Sequence, residues 1–88
     1  MAYQFTYSAR FHKHYKALSA QEKKQLANKL KLLAENPAHP SLRTKRIQGT
    51  DELFESSVNM DIRIIWYYEG HLMIIILDTG HHDILRQF

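Results

Sequence analysis

The stretch IRIIWYYEGHLMIIIL, residues 62–77, leaves few options for the rest of the chain. Residues 62–68 and 72–77 are rich in β-branched and aromatic side chains and short enough to be strands. Glu69-Gly70-His71 between them supplies a tight turn, with Gly70 free to take a positive φ. In the first strand Ile62, Ile64, Trp66 and Tyr68 share one face, while Arg63, Ile65 and Tyr67 share the other. A strand that is apolar on both faces lies inside a sheet and needs cover on both sides.

Cover for one side is visible upstream. Residues 3–7 alternate Tyr3, Phe5 and Tyr7 with polar neighbours, a strand pattern. Ser8 then reads as a helix N-cap, followed by Phe11, Tyr15 and Leu18 at helical spacing. Ser19 and Glu22 form a capping box that starts a second helix, which runs to about Glu35 before Pro37 stops it. Leu26, Leu30 and Leu33 make its apolar stripe, and the two helices form a hairpin on one side of the sheet. LFESSV, residues 53–58, is one further strand. The order is β-α-α-β-β-β, an α+β class in which a helical hairpin packs on one face of a twisted, mainly antiparallel sheet. The opposite face requires a C-terminal tail, a partner chain or a substrate.

Residues 1–88 are expected to form a single domain. There is no cysteine, so disulfides and thiolate metal sites are excluded. No apolar run approaches the ~20 residues of a membrane span, and MAYQFTYSAR has no signal-peptide core. The expected compartment is the cytoplasm. The formal charge of +3 leans toward an anionic partner, nucleic acid or an acidic protein segment.

Three groups of residues carry candidate chemistry. Arg63 sits mid-strand, where a cation needs a partner: either an internal salt bridge to Glu55 or Asp61, or a phosphate gripped by the guanidinium fork. His81 and His82 are adjacent, so on a strand they point opposite ways. Like His12 and His14, they lack metal-ligand spacing. They are either solvated or hold a general acid or base, with Asp83 available to orient a ring. Arg43, Lys45 and Arg46 crowd a basic loop leading toward the strand beside Arg63, either a wet surface or a groove for a phosphate backbone. The lysines of the second helix read as a solvated face. No Ser-His-Asp order, glycine-rich phosphate loop or glycosidase carboxylate pair is visible.

Taken in order, Ile47-Gln48-Gly49, Leu53-Phe54-Glu55, Val58-Asn59, Arg63-Ile64-Ile65-Trp66 and Gly80-His81 resemble the RelE/ParE toxin superfamily of type II toxin–antitoxin systems, nearest its YafQ-like mRNA interferase branch. The resemblance covers nearly the whole chain. It implies a metal-independent, ribosome-dependent mRNA endoribonuclease that inhibits translation and needs no cofactor. Implied partners are a cognate antitoxin, the ribosome and mRNA; operator DNA would be met only through the antitoxin complex, and a membrane not at all. By the same resemblance Arg63 contacts the scissile phosphate, His82 is the catalytic histidine and Asp61 a catalytic aspartate. Lys45, Arg43, Arg46, His81, Arg86 and Phe88 would contact substrate. The chain departs from the family where Glu55 and Ser57 replace two strand lysines of RelE, Ser57 replaces a strand histidine of YafQ, and Leu85 replaces a late tyrosine. The alternatives are a ParE-type DNA gyrase inhibitor and a decayed member that only binds antitoxin and regulates its operon.

Overall fold

The computed structural model describes residues 2–81 and Ile84. Its elements are β1 (Gln4–Tyr7), α1 (Ala9–Lys16), α2 (Ala20–Glu35), a single 3-10 turn (Pro40–Leu42), β2 (Lys45–Arg46), β3 (Phe54–Ser57), β4 (Ile62–Glu69) and β5 (Met73–His81). The strands form one sheet in the order β1-β5-β4-β3-β2. All neighbouring pairs are antiparallel except β1 with β5. The two doubly apolar strands, β4 and β5, are both interior, as their composition requires.

The helices start where the sequence places their caps. Ser8 Oγ accepts from Phe11 N–H and donates to Leu77 O, which ties the start of α1 to β5. Ser19 Oγ accepts from Glu22 N–H at 3.1 Å while Glu22 Oε1 accepts from Ser19 N–H at 2.8 Å, the reciprocal box. α2 ends at Glu35 because Asn36, preceding Pro37, is forced into extended backbone. Phe11, Leu18, Leu26 and Leu33 pack on Ile62, Ile64, Trp66, Ile74 and Ile76. Each such side chain contributes about 1.5–3 kcal/mol on burial.

A second, smaller cluster covers part of the other face. Ile47, Ile65 and Ile84 are buried together, with Leu53 and Leu77 against them. Cover from the C-terminal end is therefore one answer to the double apolarity of the strands. Gly80 makes that approach possible, since a Cβ there would lie 2.8 Å from Ile84 Cγ2.

Two features differ from the sequence expectation. The segment read as a basic loop contains β2, which adds a fifth strand. β5 also does not stop at the end of its apolar run but continues through Asp78, Thr79 and Gly80 to His81. Ile65 pairs with Asp78 and Trp66 with Ile76, which leaves Leu77 as the extra residue of a bulge. Asp78 is fully buried there, its carboxylate 2.6 Å from His14 Nδ1 and 3.6 Å from Arg10 Nε. His14 thus braces α1 against β5.

Candidate functional site

Strand register assembles a polar groove that starts on the face away from the helices and reaches α2 at one end. Ser57, Arg63 and Gly80 form one row across β3, β4 and β5; Lys45, Glu55 and Ile65 form the next across β2, β3 and β4. The groove has two arms. One, about 170 Å³, is lined by Arg43, Lys45, Glu55, Ser57 and Arg63. The other, about 230 Å³, shares Arg43, Ser57 and Arg63 and extends to Lys29, Ser41 and the β3–β4 turn. Among the described residues, four cations therefore border the groove against one carboxylate.

Local bonding fixes its walls. Trp66 Nε1–H donates to Ser56 Oγ at 2.9 Å, and Thr44 Oγ1 donates to Pro37 O. Indole can only donate and a carbonyl can only accept, so Ser56 must donate to Thr44 over their 2.7 Å contact. This chain anchors the start of β2 to the core and so holds Arg43 and Lys45 in place. Arg43 has φ 49° and ψ 44°, a left-handed conformation that costs a side-chain-bearing residue about 1–2 kcal/mol. Asn59 Oδ1 accepts from the N–H groups of Asp61 and Ile62, and its Nδ2 donates to Gln25, which pins the β3–β4 turn to α2.

Arg63 serves the fold as well as the groove. Its Nη1 donates to Asn59 O at 2.8 Å, Met60 O at 3.1 Å and Ile62 O at 3.2 Å. Its Nε lies 3.8 Å from Glu55 Oε1, and Lys45 Nζ lies 3.9 Å from the same oxygen. The internal partner anticipated for Arg63 is thus Glu55.

The sequence candidates separate on this scaffold. Arg43, Lys45 and Arg63 converge on the groove. Arg46 does not: it alternates with Lys45 on β2 and stacks on the Phe54 ring, 5.7 Å from its centroid, on the helix side. His81 pairs in register with Ile62, a core residue, and so sits on the face opposite to Arg63. Asp61 is exposed in the turn and lines neither arm. His82, Asp83, Leu85, Arg86 and Phe88 lie outside the described residues.

Sequence reasoning gave no site role to Glu55, Ser57 or Lys29. The first two were within reach, because they alternate on β3 as polar residues inside a strand and face Arg63's side. Lys29 carried no local signal; only the packing of α2 beside Ser41 brings it to the groove. Among the described residues no group of three or more histidine, aspartate or glutamate side chains could hold a metal ion, and no helix is long and apolar enough to cross a membrane.

No protein-family model matches the sequence, and no curated protein matches it. Solved structures do match the fold. YafQ from E. coli strain BL21(DE3) superposes with a TM-score of 0.77 at 20% identity, over 94% of this chain and 97% of that one. A chain of the archaeal RelE–RelB complex from Pyrococcus horikoshii OT3 gives 0.75 at 18% identity, over 92% and 96%. The YoeB/ParE toxin from Agrobacterium tumefaciens gives 0.78 at 8% identity, over 90% and 98%. A mainly antiparallel sheet with its helical hairpin on one face is, in architecture, the fold these RelE-, YafQ- and ParE-type proteins share.

Proposed function

We propose that this chain is the toxin of a toxin–antitoxin pair and cleaves mRNA on the ribosome. The observation that carries the reading is the groove itself: among the described residues, Arg43, Lys45 and Arg63 line it together with a single carboxylate, Glu55. The neighbours support it, one being described as a toxin and another as a toxin–antitoxin complex.

Such a groove suits phosphodiester cleavage by internal attack. Glu55 accepts the proton of the 2′-hydroxyl, and the freed oxygen bonds to the adjacent phosphorus. The bond from phosphorus to the 5′-oxygen breaks, and an acid protonates the departing oxygen. His82 is the proposed acid. Glu55 takes the base role in place of Asp61 because, among the described residues, it is the carboxylate that lines the groove. Arg63 and Lys45 stabilise the charge that builds on the phosphorane, and Arg43 holds the strand; loss of one such donor costs on the order of 10²–10³ in rate. The products are a 2′,3′-cyclic phosphate and a 5′-hydroxyl. The basic surplus and the apolar strands favour, as antitoxin, an acidic amphipathic segment that folds on binding.

A second reading draws on Arg63. Two turn carbonyls and that of Ile62 already occupy its Nη1, which favours a member that binds antitoxin without cutting RNA. Programmed ribosomes separate these readings: cleaved message bearing 5′-hydroxyl ends supports the nuclease, and intact message refutes it. Inhibition of gyrase supercoiling without cleavage would point instead to a ParE-type activity.

A further inference from the structure

The second arm of the groove extends beyond the residues used in the chemistry above, and its lining is mixed, cationic and apolar. Lys29 reaches it from α2, its Nζ in one long contact, 3.4 Å, with Ser41 O. An ammonium carries three donors, and Arg43 stands beside it. Buried Val58 and the side chain of Met60 supply apolar surface to the same arm. Met60 is 88% exposed, which the fold does not require. Its backbone is nonetheless fixed, because Asn59 pins the turn and Met60 O accepts from Arg63. A thioether held out on a fixed turn is an adaptable surface for a flat apolar partner.

A space of about 230 Å³ lined by both cations and apolar side chains suits one nucleotide, which offers a charged phosphate and a flat base. We infer that this arm is a subsite for the nucleotide adjoining the scissile linkage. Lys29 takes its phosphate and Met60 covers its base. The inference rests on the proposed mRNA cleavage and adds where the strand runs: from the Lys45–Glu55 arm, past Arg63, toward α2.

The test uses ribosomes programmed with a message blocked by 2′-O-methylation at the attacking hydroxyl, with 4-thiouridine one nucleotide to either side. Irradiation with the full chain bound should crosslink one of the two positions to a peptide containing Met60 or Lys29. On unblocked messages, Lys29→Gln should lower kcat/KM about threefold to tenfold for every sequence. Met60→Ser should raise KM and level the differences between bases at the flanking position. Lys31→Gln, which removes an exposed charge from α2 away from the groove, is the control and should match wild type. Crosslinks confined to other peptides, or Lys29→Gln and Met60→Ser variants that cut like wild type, would overturn the subsite while leaving the nuclease standing. A wild-type chain that leaves unblocked message intact would overturn both.

Discussion

Arg63 holds two roles, and removing it should separate them. Arg63→Ala deletes one charge-assisted bond of 2.8 Å to Asn59 O and two weaker contacts, to Met60 O and Ile62 O. A charged hydrogen bond contributes about 1.5–3 kcal/mol, but the turn is partly exposed and water replaces part of that. The variant also strips Glu55 of one cation. The two side chains are 16% and 9% exposed, so the pair is only weakly screened. Lys45, 72% exposed on a flexible stem, can swing in and offset some of the loss. Together these place the cost at about 2–4 kcal/mol, below the ~5–15 kcal/mol total of an ordinary domain. The variant should therefore fold and melt early. Glu55→Gln, which removes the charge Arg63 answers, should make the second substitution cheaper by about 1 kcal/mol in a double-mutant cycle. Urea unfolding of the four proteins measures this. A loss under about 0.5 kcal/mol with strictly additive variants would refute the brace and leave Arg63 a purely functional residue.

Other perturbations probe the same construction. Arg43→Gly should leave stability unchanged or raise it by up to about 1 kcal/mol, since glycine tolerates the left-handed backbone, while cleavage falls at least tenfold; thermal melting and primer extension check the two halves. Ser56→Ala should cost about 1–3 kcal/mol in urea unfolding, because the buried Trp66 N–H loses its acceptor. His82→Gln should slow cleavage by roughly 10²-fold or more, the scale of a lost acid–base group, in single-turnover assays with wild-type stability. Burial, with the neighbouring Tyr3 second, raises the Tyr68 hydroxyl above its ordinary pKa. The unfolded chain thus releases this proton first, so its contribution to stability should fall as pH rises past about 10. Tyr68→Phe should flatten that limb in a pH series of melts.

How far the sequence spoke depends on whether the signal was local. Caps and periodicity are local, and Ser8, Ser19, Glu22 and Pro37 marked both helices where the structure has them. The apolar runs marked β4 and β5 as interior. A two-residue strand has no period to read, so β2 looked like loop, and with it went the fact that Lys45 and Arg46 point to opposite faces. The end of β5 was hidden for another reason. Asp78, Thr79 and Gly80 break an apolar pattern, and only tertiary partners, His14 and Arg10, make a buried aspartate tolerable there. The groove was half legible. Arg63 announced itself as a cation inside a strand, whereas Lys29 is one lysine among several on its helix until the fold brings it beside Ser41.

The central claim is that the Arg63–Lys45–Glu55 groove cuts RNA. Its most direct test is end-mapping of a message on programmed ribosomes, with wild type, Arg63→Ala and Glu55→Gln assayed at a temperature where urea curves show all three folded. Wild type should give discrete cuts with 5′-hydroxyl ends, and each variant a loss of about 10²-fold or more. Uncut message with folded wild type, or variants that cut at the wild-type rate, would contradict it.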